Sequence, residues 1–179
     1  MSDDSILLAK EMFFKYGGSH FHMEREGEYK SYKSFDISKE QESLWIEELQ
    51  KELLDKVKKD DVVGHNYNTL CSSIRQYKSL DMLKELVDFV KSRREASDTF
   101  SLLLMAEGEL RIVEYFEKNN LGAHKNTAFA RVTSLEILEY LLKRPVSVAA
   151  EYLNSSHLVD LSDNQYILNR IRDELANRS

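Results

Sequence analysis

The chain has one proline and six glycines in 179 residues. A β-sandwich or barrel of this length needs many more of both to build its turns, so the scarcity excludes an all-β fold and leaves a helical one. There is a single cysteine, Cys71, which rules out an internal disulfide, and no Cys or His pairs stand at zinc-finger spacing. Such cysteine usage fits a reducing cytoplasm. Basic charge is not in excess: 25 Lys and Arg face 31 Asp and Glu, a net charge of −6. That field repels phosphate backbones and anionic lipid headgroups, which argues against nucleic-acid and membrane partners. The cations at Lys91, Arg93 and Arg94 cluster at a predicted helix end, where the dipole alone favours them. Long apolar runs are missing too. Ile6-Leu7-Leu8-Ala9 is broken at once by Lys10 and Glu11, so the acidic start reads neither as a signal peptide nor as a membrane span. No P-loop, dinucleotide fingerprint, His-Glu-x-x-His, serine elbow or EF-hand loop occurs, and no cofactor or catalytic activity is expected.

What is present is amphipathic helix. Hydrophobic residues make up 42% and charged residues 31%, a balance that suits helices with one greasy face. Three stretches lay the same pattern on a helix: Ser79 to Leu86, Glu109 to Phe116 and Ser134 to Leu141. Each reads polar, Leu, charged, two apolar, two mostly polar, apolar. Their leucines at 80, 110 and 135 lie 30 and 25 residues apart, the range of stacked helical hairpins.

Residues from about Asp4 to Tyr16 predict a first helix stopped by Gly17-Gly18. Leu8, Met12 and Tyr16 form its core stripe, widened by Ile6, Ala9 and Phe13. Leu7 and Phe14 fall on the opposite side, which leaves a second face for the following segment or for a partner chain, a homodimer included. Ser38 with Gln41 makes a capping box that opens a helix over about 39–59. Its stripe is Trp45, Ile46, Leu49, Leu53, Leu54 and Val57. Asp60 to Asn66 then reads as a break. Further helices are predicted at about 68–76, 80–93, 98–106, 109–119, 125–132, 135–143, 146–153 and 163–176. Ser79, Ser97 and Ser162 are candidate N-caps, Gly122 a helix stop, and Pro145 a first-turn residue.

The fold expected is therefore all-α: one domain over 1–179, with an N-terminal helical module at 1–62 and an irregular stack of antiparallel hairpins at 66–179, closed by a C-terminal capping helix. Residues 20–32 are open to two readings. Alternation of His20, His22 and Glu24 against Phe21 and Met23 predicts a small β-hairpin turning at Glu26-Gly27. The spacing of Tyr29, Tyr32 and Phe35 instead fits one helical face over about 27–33.

Leu103 to Phe116, read as a first helix ending in Ala106, a turn at Gly108 and a second helix with Leu110, Ile112, Val113 and Phe116, resembles the middle of an ankyrin repeat. Ser134 to Leu142 resembles the same second helix, and Leu80 to Leu86 does so more faintly. The resemblance implies a degenerate ankyrin-like or HEAT-like array over about 67–153, of the kind that serves as a protein-binding scaffold. It carries over no binding residue.

Three function classes are carried forward. A non-catalytic protein-interaction module, adaptor or immunity-type, is expected first, with Tyr29, Tyr32 and Phe35 as candidate partner contacts because aromatics give large contact area at low entropic cost. The same rings would otherwise roof the first helix. The second class is a metal-dependent enzyme, since a strand would set His20, His22 and Glu24 on one face. The third is a nucleic-acid-binding helical solenoid. Cys71, with His65 nearby in sequence as an imaginable base, reads as a core side chain rather than a nucleophile.

Overall fold

The computed structural model describes residues 3–154 and 163–178. It holds ten helices and no strand among those residues: α1 Asp3–Lys15, α2 His20–Arg25, α3 Tyr29–Lys33, α4 Lys39–Lys59, α5 His65–Tyr77, α6 Leu80–Ser92, α7 Thr99–Lys118, α8 Lys125–Leu141, α9 Ala150–Leu153 and α10 Asn164–Ala176. None of the described helices is long and apolar enough to cross a membrane. The chain divides into two compact units, residues 1–52 and 53–179. The division falls inside α4, ahead of the break expected at Asp60 to Asn66.

In the first unit, α1 ends where Gly17 and Gly18 take left-handed backbone, φ 58° and 80°, and return their N–H groups to Phe14 and Phe13. Ser38 caps α4 by accepting from the Gln41 N–H at 3.1 Å. The core is Ala9, Phe13, Met23, Tyr32 and Trp45. Phe13 is its hub, stacked on Tyr32 at 5.8 Å and tilted against Trp45 at 5.6 Å. The stripe expected for α1 is corrected at one position. Ala9 and Phe13 fill the core while Leu8 is 52% exposed.

Two corrections shape the second unit. The helices expected at 98–106 and 109–119 are one helix, α7, and those expected at 125–132 and 135–143 are one helix, α8. Gly108 makes no turn. A Cβ there would lie 2.7 Å from Cε1 of the Tyr67 ring, so the glycine admits that ring against the helix backbone. The segment that carried the ankyrin-like resemblance thus runs straight through its expected turn.

The helix α7 is covered nearly all round, with fourteen of its twenty residues buried. It runs antiparallel to α8, as Glu117 pairs with Arg131 near their short link and Glu109 meets Ser134 two turns back. Tyr67, early in α5, donates its hydroxyl to the Met105 carbonyl at 2.6 Å, and α5 runs alongside α7 in the same direction. Similarly α6 runs with α8. Asn126 donates to the Leu80 carbonyl at 3.0 Å near their starts, and Tyr140 reaches Glu95 at 2.9 Å beyond the end of α6. The α5–α6 hairpin turns on Lys78, φ 53°. Two hairpins therefore stack in the same sense, and α10 packs against both α8 and α7, tied to α7 by Arg170 and Glu107.

The caps differ in detail from expectation. Asp98, not Ser97, caps α7 by accepting from the Phe100 and Ser101 N–H groups. Asp163 caps α10, and Ser162 lies outside the described residues. Pro145 sits in an irregular connection, where its carbonyl accepts from the Thr99 hydroxyl. The short α9 is anchored by Tyr152, whose hydroxyl oxygen accepts from the Val63 N–H at 2.7 Å.

Candidate functional site

Residues 20–32 are helical, and this rearranges every site residue proposed there. Ser19 caps α2 by accepting from the His22 N–H at 3.3 Å. His20 and Met23 then point inward, three residues apart, while Phe21 and His22 point out. The β-hairpin reading is overturned because the 20–24 alternation was the accident of a single helical turn. With it goes the one-faced metal set: on a helix His20 and His22 lie on nearly opposite sides. No group of three His, Cys, Asp or Glu able to hold a metal occurs among the described residues.

The His20 ring rests among the rings of Phe13, Tyr29 and Tyr32 at 6.2, 5.2 and 5.5 Å. Its Nε2 is 2.8 Å from Oε1 of Glu42, and the Tyr32 hydroxyl donates to the same oxygen at 2.6 Å. One carboxylate oxygen thereby joins α2, α3 and α4. A histidine oriented by a carboxylate is a fragment of acid–base machinery, yet here the other groups within reach are aromatic rings, and the arrangement acts as a polar pin in an aromatic core.

Tyr29 and Tyr32 fall on one face of α3 and Phe35 lies just past its end, and all three pack toward the core. Tyr32 is 3% exposed, and Tyr29 and Phe35 are half-buried against the core. They form the roof over α1. A shallow polar cleft of about 420 Å³ opens nearby, lined by Lys15, Tyr16, His22, Arg25, Glu26 and Glu28. Its charges are already matched within it. Lys15 donates to Glu28 at 2.8 Å, which raises the ammonium pKa and lowers that of the carboxyl, and Arg25 pairs with Glu26.

The surface of this unit carries a different feature. Among the described residues seven large hydrophobic side chains are exposed, and four belong here: Leu7 at 57%, Leu8, Phe21 at 70% and Leu44 at 58%. Residues 1–52 also contain twelve Asp and Glu against seven Lys and Arg, a net of −5. The remaining residues hold nineteen against eighteen, a net of −1. Whole-chain composition conceals this asymmetry, but a count by segment finds it.

In the second unit the notable chemistry is buried. Cys71 is closed off, and burial pushes its thiol up to about 12, the opposite of what a nucleophile needs. His65 is exposed and contacts Thr69 Oγ1 at 3.4 Å. The residue that sequence reasoning missed is Glu109. Its position in the repeated pattern marks it only as polar, where a charge is normally solvated, yet it is fully buried. Ser134 donates to its Oε2 at 2.6 Å, and among the described residues no hydrogen-bond partner reaches Oε1. Burial raises this carboxyl to about 8, so it is mostly protonated at neutral pH. Its neighbour Glu107 is instead held by a bidentate pair with Arg170, 2.6 Å on each oxygen.

Set against family models, curated proteins and solved structures, the chain matches none.

Proposed function

We propose that the chain is a non-catalytic protein-binding module, of adaptor or immunity type, whose contact surface lies on the N-terminal unit. The observation that carries this reading is the coincidence on residues 1–52 of exposed leucine and phenylalanine side chains with nearly all of the net negative charge. Several large apolar side chains left in water on a unit of one charge sign are a common mark of an interaction site. The metal reading has lost the strand on which it depended. The nucleic-acid reading has the sign of the charge against it. A buried thiol in a chain without a second cysteine suits a reducing compartment such as the cytoplasm.

The test is a tagged pulldown from the cells that make the protein, run in parallel with a variant carrying Leu7→Gln and Leu44→Gln. A stoichiometric protein retained by the native chain and lost from the variant is the expected result. A metabolite or metal recovered in place of any protein would overturn the reading.

A further inference from the structure

Within the first unit α1 and α4 pack antiparallel. Phe13 meets Trp45 at 5.6 Å on the inner side, and Lys10 donates to Glu48 at 2.6 Å on the outer edge. The helical repeat then fixes what surrounds that bridge. Leu7 lies one turn before Lys10, and Phe14 one turn after it, with the Lys10 ammonium 5.2 Å from the Phe14 ring centre. On α4, Leu44 lies one turn before Glu48, at the Phe14 end of the bridge. Leu7 and Phe14, seven residues apart, stand about 10 Å apart along the helix axis.

This strip has the exposed Leu7 at one end and, at the other, the exposed Leu44 beside Phe14, which is half-buried and packs in part against the unit's own core, with a neutralised ion pair between them. Its rims are mostly acidic, with Lys51 the exposed cation on the Leu44 face of α4. Asp4 and Glu11 are exposed on the outer side of α1, spaced one turn either side of Leu7, and Glu40 and Glu47 are exposed on α4, one turn either side of Leu44. Leu8 faces away, about 100° further round α1.

We infer that the α1–α4 strip is a docking surface for a cationic amphipathic helix of another protein, one presenting apolar side chains at i and i+7 with Lys or Arg on both flanks. This rests on the interaction-module reading and names its partner chemistry. The spacing of Leu7 and Phe14 matches two turns of an incoming helix, the helix-in-groove mode of recognition. Charge selects among occupants. A second copy would bring −5 against −5, and nucleic acid or an anionic membrane would be repelled in the same way. A basic helix is attracted from both rims.

The test uses the full chain and a fluorescent synthetic peptide: a helical 18-mer with Leu at i, i+4 and i+7 and Lys on both flanks, set beside a scramble of identical composition. Anisotropy is expected to show saturable binding of the amphipathic peptide, weaker by about tenfold for the scramble and for the L7Q/L44Q variant. The charge variant E11K/E47K should weaken it as much, and the native affinity should fall with added salt. The control L8Q should bind as the native chain does. Equal binding of the scramble, indifference to L7Q/L44Q, or no binding would overturn the inference. So would a self-association, read by sedimentation, that L7Q/L44Q abolishes. Circular dichroism reports that the variants are folded, and E11K/E47K gives an independent arm where L7Q/L44Q is not. A pulldown partner lost with L7Q/L44Q while the peptide fails to bind would remove the partner chemistry and leave the module reading standing. A metabolite or metal recovered in place of any protein, with no peptide binding, would remove both.

Discussion

The two units differ in how they place polar and apolar groups, although each exposes some hydrophobic side chains and buries some polar ones. Residues 1–52 leave leucine and phenylalanine side chains in water and surround them with acids, and their core is small and aromatic. Residues 53–179 are nearly neutral and bury even a carboxyl, Glu109, beside a tyrosine, a thiol and a serine. Exposure of apolar area works against the stability of the compact state, as does burial of a titratable group without a full set of partners. The first arrangement becomes favourable when another surface covers it. The second remains a standing penalty that the packing round α7 has to offset.

Four variants probe that contrast, from the largest expected effect to the smallest. Gly108→Val should be the most damaging, because a side chain there drives the Tyr67 ring off α7 and breaks its bond to Met105. A loss of about 3–5 kcal/mol in urea unfolding is expected, and a change below about 1 kcal/mol would contradict the close approach.

Glu109→Gln should stabilise. The carboxyl titrates near 8 in the folded chain against an ordinary value of 4.5, so the native state keeps a proton that the unfolded chain has released. Native stability therefore falls as pH rises from about 4.5 to about 8 and levels off above that. The amide keeps an acceptor for Ser134 and carries no charge. At pH 8.5 the variant should gain about 2–4 kcal/mol over the native chain, and at pH 5 the two should differ little. Parallel stability curves across that range would show that Glu109 is not held as the structure places it.

Tyr32→Phe removes one of the two hydrogen bonds on the shared Glu42 oxygen and keeps the ring stacking. A loss of about 0.5–1.5 kcal/mol is expected, with the first unit affected and the near-UV signal of the rest unchanged. Leu7→Gln with Leu44→Gln should move stability by about 0.5 kcal/mol or less, since both side chains are more than half exposed. A larger loss would mean that these leucines are core residues and would erase the contrast.

How much of this was legible depends on range. Helical class follows from scarce Pro and Gly, and the ends of α1 and α4 follow from local signals, Gly17-Gly18 and Ser38 with Gln41; Ser79 stands at the start of α6 but makes no side-chain capping bond. The expected break in α7 falls at Gly108, because glycine looks the same to a sequence reader whether it opens a turn or admits a ring, and Tyr67 lies forty-one residues away. The break in α8 falls at Thr133-Ser134, polar residues that are in fact buried in mid-helix. Glu109 looked solvated because a charge in a repeating polar position normally is. Only the burial of α7 on every side reverses that. His20, Tyr32 and Glu42 are joined across twenty-two residues by a fold in which α2 is a helix, and the 20–24 alternation pointed the other way. Tyr29, Tyr32 and Phe35 were correctly grouped by spacing, but spacing says that residues share a face without saying which way the face looks.

The lone thiol has a practical sequel. Cys71 is sealed beneath Tyr67 in α5 and is the chain's only cysteine, so a thiol-reactive dye has one target and no background. Its labelling rate becomes a clock for the moments when α5 lifts from α7, timing the breathing of that interior in the unaltered protein.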